Sequence, residues 1–376
     1  MQTKLTQLAL LLFCMGSALA CRKDEAPKSE TDFYVALPSP PVRLVNTTGE
    51  WLVYEMHVKT PALESVEIRH GGELVLEYAN FNSLNDLHIG SIWLEFPAEG
   101  WEQGELEHRF YYREAAGGEL REREFVLPVE RAYPDPKTIA FPVPGGVWLA
   151  EGAAGPNSYH TRSLFPYDEP RYDEEQEGYL FGNNPQRFAI DYALLEDGLP
   201  YVNDGTLLSD WHCYNMPVLA AQGGVVIFTK DGIPDNQTPW ELDYETDIHN
   251  ATGNVVYVEH ADGTIGTYCH LVPHSIEVAE GDTVVTGQAL GRLGNSGNSF
   301  APHLHMHVLT NPEGKTIDSY PDGLFMESLP YRFESFTRLG QLEPGFLDVK
   351  PIEQFVPTGA EEFELVRPSE SDVISF

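Results

Sequence analysis

Three histidines alternate with apolar residues in the segment Pro302-His303-Leu304-His305-Met306-His307-Val308. Because residues two apart in a β-strand share a face, a strand here places the three imidazoles on one side and the apolar side chains on the other. Three histidines on one face make a poor apolar core, whereas imidazole is a common metal ligand. The segment therefore predicts a metal site in which at least one of these histidines is a ligand.

Glycine-rich turns precede this strand, in Gly281-Asp282-Thr283-Val284-Val285 and in the run from Gly287 to Ser299, which contains Gly294-Asn295-Ser296-Gly297. Glycine allows tight turns and close backbone approach, and alone would indicate only that. Tyr268-Cys269-His270-Leu271 lies further upstream. Together with the histidine strand, these motifs resemble those of the LytM-like M23 metallopeptidases, and the resemblance covers roughly residues 146–336.

The resemblance implies a zinc-dependent metalloendopeptidase that cuts peptide bonds in peptidoglycan, in the stem peptide or the cross-bridge. In that family the second histidine of His-x-His binds zinc, while the first histidine and that of Tyr-x-His act on water and substrate. Transferred to this sequence, His305 is a zinc ligand, and His303 and His270 are the catalytic pair. The expected substrate partner is a peptidoglycan peptide, and the expected cofactor is Zn²⁺.

The two remaining ligands of the family lie in a His-x-x-x-Asp motif, and here this sequence diverges. Asp191 keeps the acidic ligand, but Arg187 stands where the first histidine belongs, and a guanidinium has no lone pair to offer a metal. His160 is the first candidate for the third ligand, by resemblance to divergent M23-like sequences that place a histidine at a larger spacing before the aspartate. His212 is the second candidate, and the third alternative is that no ligand replaces the histidine.

The missing histidine leaves a second function open. Without a third ligand, the chain is a catalytically inactive LytM-like domain that acts as an envelope binding or regulatory module. A further alternative is a carbohydrate- or envelope-binding lipoprotein that works through its N-terminal part. The other histidines of the second half, His249, His274 and His307, are expected at the surface or in the groove rather than as ligands.

Short alternating segments with turn signals between them predict an all-β protein. Residues 33–132 are expected to form an immunoglobulin-like β-sandwich. After a proline-rich joint at 133–136, residues 138–340 are expected to form a mostly antiparallel β domain of the LytM/M23 type. Residues 341–376 are expected to be an acidic C-terminal tail. The long polar stretch from Lys230 to Asn254 is expected to be a functional loop beside a groove.

The first residues predict export. Residues 1–20 carry Lys4, an apolar run and a small-residue cleavage site, which is typical of a signal peptide. Cys21 follows directly and resembles the lipidated cysteine of bacterial lipoproteins, and residues 21–32 then serve as a tether. Arg22 favours the outer membrane over the inner one. We therefore expect a periplasmic or cell-envelope lipoprotein with no membrane-spanning helix, because no later apolar stretch approaches the roughly 20 residues needed.

The charge balance limits the partners. The 58 acidic residues against 23 basic ones argue against nucleic acid, because phosphate binding depends on lysine and arginine. A monomer is expected. Cys213 and Cys269 are expected either to form one disulfide or to be two buried thiols, and the sequence leaves both open.

Overall fold

The chain is represented by a computed structural model that describes residues 33–84, 86–96, 104–115, 117–130, 133–163, 165–173, 178–247, 249–310, 326–348 and 352–376. The structure is nearly all β, mostly in antiparallel sheets, which confirms the predicted fold class. The expected signal peptide, Cys21 and the tether lie outside the described residues. Within the described part of the chain, no helix has the length and apolarity needed to cross a membrane.

The N-terminal unit consists of two sheets. Its strands are β1 (Tyr34–Ala36), β2 (Val42–Asn46), β3 (Gly49–Lys59), β4 (Ala62–His70), β5 (Glu73–Tyr78), β6 (Asn82–Leu84), β7 (Leu87–Glu95), β8 (Gly104–Arg113) and β9 (Leu120–Val129). One sheet has the order β1-β3-β7-β6, with β2 paired to β3, and the other has the order β5-β4-β8-β9. The unit is thus a two-sheet sandwich, and its immunoglobulin-like character stays a prediction.

Alternation along β3 shows how both faces of the first sheet are used. Leu52, Tyr54, Met56 and Val58 pack into the sandwich core together with residues of the second sheet. Val53, one residue out of phase, packs on the opposite face in a cluster with residues of the second unit. The first sheet is therefore covered on both faces, by its partner sheet and by the second unit.

The second unit is built on one large sheet. Its strands are β10 (Lys137–Ile139), β11 (Val147–Glu151), β12 (Phe165–Asp173), β13 (Gly178–Asn183), β14 (Ile190–Leu194), β15 (Pro217–Leu219), β16 (Gly224–Lys230), β17 (Asn254–Glu259), β18 (Thr264–Leu271), β19 (Thr283–Val284), β20 (Ala289–Arg292), β21 (Leu304–Thr310), β22 (Glu327–Leu329), β23 (Tyr331–Gln341), β24 (Glu361–Val366) and β25 (Asp372–Ser375). The path of the large sheet is β10-β23-β25-β11-β14-β21-β18-β17-β16-β19. Short 3-10 helices span Leu208–Asp210 and Phe346–Asp348.

Residues 341–376 do not form a tail. β25 lies between β11 and β23 in the large sheet, and β24 pairs with β23. Val373 and Ile374 pack into two apolar clusters on opposite faces of the sheet. Asp372 is buried, and its carboxylate accepts a hydrogen bond of 2.7 Å from Arg338. The tail prediction, which rested on the acidic composition of residues 341–376, is therefore wrong, because β25 is a strand of the large sheet.

The middle of the large sheet positions the candidate site residues. β21 lies between β14 and β18, so that His305 pairs with Asp191 on one side and with Cys269 on the other. All residues of β14 are buried, which fixes the register of this strand strongly. Cys213 and Cys269 are both buried as thiols and are not joined in a disulfide.

Candidate metal centre

Two donor groups meet across the middle of the large sheet. Asp191 on β14 and His305 on β21 are direct partners in register, and the Nδ1 atom of His305 lies 2.8 Å from Oδ1 of Asp191. Both side chains are buried. Because the two strands are central in the sheet, the separation of these donors is set by backbone pairing rather than by a flexible loop.

His160 reaches the same point from residues 152–163, which we call the ligand loop. Its Nε2 atom lies 3.4 Å from Oδ2 of Asp191. Its Nδ1 atom lies 2.9 Å from the Gly152 carbonyl oxygen, which can only accept, so Nδ1 carries a proton and Nε2 is the ring nitrogen left to face a metal. Gly152 has φ +60°, and a Cβ there would lie 2.7 Å from the His160 ring. Glycine at 152 is therefore required for this approach.

Donor atoms of His160, Asp191 and His305 all lie within 4.8 Å of one another. Two imidazoles and one carboxylate are a typical donor set of catalytic zinc sites, which keep further positions open. The hydrogen bonds behind the donors also suit a metal centre. The Tyr159 hydroxyl donates to Oδ2 of Asp191 at 2.6 Å, and Nε2 of His305 lies 3.0 Å from Nδ1 of His307. Such partners fix the orientation of metal ligands, so the residues present fit a zinc ion.

His270 and His303 lie beside this set with Nε2 available. Nδ1 of His270 donates to the Ser296 carbonyl at 2.7 Å, and Nδ1 of His303 donates to the Ala301 carbonyl at 2.7 Å. Nε2 of His303 is 3.5 Å from Oδ1 of Asp191. The centroids of the His270 and His303 rings are 4.8 Å apart. The pair therefore faces the same space as the three donors.

The glycine-rich turn explains how His270 is held. Gly297 has φ +80°, and a Cβ there would lie 2.3 Å from the Gly253 nitrogen, so only glycine fits. This close turn presents the Ser296 carbonyl to His270. His270 itself has φ +61°, a left-handed conformation that costs about 1 kcal/mol or more for a residue with a Cβ. Strain of this kind is maintained by the surrounding contacts and is common at functional sites.

The electrostatics favour the ionised carboxylate of Asp191 and the neutral imidazoles of His270 and His305. Burial opposes ionisation of Asp191, but His160, His303 and His305 together hold its pKa well below its usual range. Burial lowers the pKa of His305 despite the opposing effect of Asp191. Burial, and then the charges of His303 and His305, hold the pKa of His270 well below its usual range. Neutral imidazoles and an ionised carboxylate are the protonation states that metal binding requires.

The remaining candidates lie elsewhere. His212 is only half-buried, and its Nδ1 lies 3.3 Å from Glu196. His249 and His274 are exposed, as expected. Arg187 is 2% exposed, and its guanidinium donates to the Ser39 hydroxyl at 3.1 Å instead of joining the donor set.

His307 is buried in contact with His305, which corrects the surface alternative in its prediction. It also lines a cavity of about 650 Å³ that the donor groups face. The cavity wall includes Trp240, Ala251 and Thr252 from the long polar loop, which agrees with the groove expected there. Tyr159 was missed from sequence, and its only signal was its position next to His160.

Comparison with known proteins gives the same family. The model of Peptidase family M23 matches residues 209–319. "Peptidoglycan DD-endopeptidase ShyC" of Vibrio cholerae is 30% identical over 101 residues, covering 24% of this chain and 23% of that protein. "Cell division protein DipM" of Caulobacter vibrioides is 31% identical over 98 residues, covering 26% of this chain and 14% of that protein. The chain thus spans less than a quarter of the length of these curated relatives.

Solved structures are also similar. The M23 metalloprotease pseudoalterin, described as from the deep sea, is 17% identical with a TM-score of 0.27, covering 60% of this chain and 97% of that one. The catalytic domain of lysostaphin from Staphylococcus simulans is 22% identical with a TM-score of 0.21, covering 42% and 86%. Asp191 and His160 precede the segment that the family model matches, whereas His270, His303 and His305 lie inside it. Residues 209–319 of this chain belong to peptidase family M23.

Proposed function

We propose that this chain is a zinc-dependent endopeptidase that hydrolyses peptide bonds of peptidoglycan, with His160, Asp191 and His305 as the metal ligands. The observation that carries the proposal is the convergence of these three donors on one wall of an open cavity. Each donor also has a hydrogen-bond partner behind it. His160 fills the role that Arg187 cannot fill.

When bound, a zinc ion supplies a Lewis acid that polarises the scissile carbonyl and makes a water molecule more acidic. His270 and His303 supply the proton transfers. With Nδ1 of each fixed on a main-chain carbonyl, Nε2 is the atom that accepts a proton from the attacking water and returns it to the leaving amine. The protonated ring then stabilises the negative charge that develops on the carbonyl oxygen. Burial keeps the pKa of His270 low, so it enters the reaction as a proton acceptor.

The substrate follows from the relatives and the shape of the site. ShyC and a second Vibrio cholerae relative, ShyA, are both named peptidoglycan DD-endopeptidases. Peptidoglycan cross-links are therefore the first substrate to test. Trp240, Phe300 and Leu347 line the cavity around the donor groups, and we propose that an extended peptide binds along them.

The test uses a soluble chain that starts at Arg22 and purified peptidoglycan. We expect one zinc ion per chain and the release of new amino groups, and mass spectrometry of the fragments identifies the bond that is cut. His305→Ala is expected to lose both zinc and activity, while the exposed His274→Ala keeps both. A chain that holds no zinc even after reconstitution contradicts the proposal.

The second candidate is a binding or regulatory module without metal. It is favoured by Arg187, which replaces a family ligand and points its guanidinium towards the N-terminal unit. In that case the chain binds peptidoglycan without cutting it. His305→Ala then leaves the affinity for peptidoglycan unchanged. Zinc content separates the two functions directly.

The location is also a proposal. Two relatives are named for peptidoglycan, a polymer of the cell wall, and this supports export of this chain. Cys21 is proposed to carry a lipid anchor to the outer membrane. Labelling with palmitate is expected to mark the wild-type protein and not Cys21→Ala; an unlabelled mature protein contradicts the anchor.

A further inference from the structure

The three proposed ligands are supported in two different ways. Asp191 and His305 lie on neighbouring strands in the middle of the large sheet, where main-chain hydrogen bonds fix them. His160 lies on the ligand loop, residues 152–163, which contains turns and no strand beyond Glu151. What holds the loop therefore decides whether the third ligand is in place.

The N-terminal sandwich packs directly against this loop. Ala154 of the loop is fully buried in an apolar cluster with Leu44, Val53 and Trp93 of the sandwich. Phe188, also fully buried, belongs to the same cluster. Burial of apolar side chains is the main favourable contribution to an interface of this kind. The N-terminal end of the ligand loop is thus packed on the sandwich.

Hydrogen bonds join the C-terminal end of the loop to the sandwich. Asn82 donates from Nδ2 to the main-chain carbonyl of Arg162, and the Arg162 guanidinium donates back to Oδ1 of Asn82 at 2.9 Å. Asn80 donates to the side chain of Asn157 at 3.4 Å. Arg162 is only two residues from His160, so this reciprocal pair acts close to the ligand.

Arg187 forms a third connection. The Thr161 hydroxyl donates to the Arg187 carbonyl at 3.2 Å, and the Arg187 guanidinium donates to Ser39 of the sandwich at 3.1 Å. Among the described residues, Nε and Nη1 of Arg187 have no acceptor, although the side chain is buried. The residue that replaces the family ligand therefore links the ligand loop to the sandwich.

We infer that the N-terminal sandwich is a structural part of the metal centre, because it positions His160, with Asn82 and Arg162 as positioning residues. This inference rests on the proposed function, since it takes His160 as a ligand. Affinity for zinc then depends on contacts between the two units, although the three proposed ligands all lie in the second unit. Partners that orient ligands from outside typically change metal affinity by about 10- to 100-fold.

The experiment measures the dissociation constant of zinc by competition with a chelating dye, in the whole soluble chain. Asn82→Ala removes both hydrogen bonds of the reciprocal pair, and Arg162→Ala removes the one that the guanidinium donates. In each variant we expect zinc to bind about tenfold more weakly or worse. The matched control is Arg121→Ala, which removes an ion pair with Glu114 on the outer sheet of the sandwich. Asn82→Asp keeps the acceptor for Arg162 and is expected to recover part of the affinity.

The thermal midpoint of the metal-free chain is the second readout. A positioning role predicts weaker zinc binding with a midpoint close to wild type, and affinities equal to that of Arg121→Ala overturn the inference. A wild-type chain that binds no zinc contradicts the proposed function itself, and not only this inference. If Asn82→Ala does not fold, amide exchange of the wild-type metal-free chain decides. Protection of residues 153–162 comparable to β14 supports the inference, and exchange as fast as an exposed loop overturns it.

Discussion

Removal of His160 is the sharpest test of the proposed ligand set. Nε2 of His160 is 3.4 Å from Asp191 Oδ2, and the ring is already held by the Gly152 carbonyl, so little ordering remains to be done on metal binding. A structural zinc site with four ligands is worth about 10–16 kcal/mol, or roughly 3 kcal/mol for each ligand. Loss of one ligand therefore weakens zinc binding by about 100-fold or more. His160→Ala is expected to show this loss.

The assay compares zinc affinity and zinc content of three variants. Arg187→Ala is the comparison, because its guanidinium contacts Ser39 and none of the donor atoms. It is expected to weaken zinc binding much less than His160→Ala does. The double variant His160→Ala with Arg187→His restores the family motif, but we expect no recovery, because the side chain at 187 points towards the sandwich. A His160→Ala chain that binds zinc within about threefold of wild type refutes the ligand assignment. Recovery in the double variant refutes the orientation of residue 187.

His303→Ala and His270→Ala are each expected to keep zinc and to lose peptidoglycan cleavage by at least about 100-fold, because they move protons rather than bind metal; loss of zinc in either contradicts the assigned roles. His307→Phe keeps the ring volume but leaves the ligand imidazole unpaired, and is expected to weaken zinc binding about 10- to 100-fold, with exposed His274→Phe as the control. Burial lowers the pKa of His108 from 6.5 to about 4. Because the pKa of this imidazole is lower in the folded chain than in the unfolded chain, its neutral form contributes to the free energy of unfolding above pH 6.5. That contribution is lost as the pH falls from about 6.5 to 4. The loss amounts to about 3 kcal/mol. In urea unfolding, the free energy of unfolding of His108→Gln is expected to depend less on pH than that of wild type, and an equal pH dependence contradicts this role of His108.

The sequence predicted the half of the site that depends on local pattern. Alternation in residues 303–307 predicted the histidines on one face, and all three line the same cavity while the residues between them do not. Glycine at 297 marked a turn that no other residue can form. These features are readable because a strand period and a left-handed turn involve few residues close in sequence.

The other half depends on pairing between distant segments. Asp191 and His305 are 114 residues apart and meet only because β14 and β21 are adjacent. His307 was expected at the surface or in the groove, and the sequence could not choose between them because its burial comes from neighbouring strands rather than from its own segment. The strand Asp372–Ser375 was missed since a segment rich in acidic residues gave no sign of its place between two distant strands.

The division of the site has a consequence for how its activity can be recognised. The family match begins at residue 209, so it contains His270, His303 and His305 but neither His160 nor Asp191. In the proposed assignment, the matched part contains both proton-transfer histidines and one ligand, while the other two ligands precede the matched part. A chain could keep the whole matched segment and still lose its metal through a change at His160. Zinc binding, and not similarity within the matched segment, is therefore the property that separates a hydrolase from a binding module in this chain.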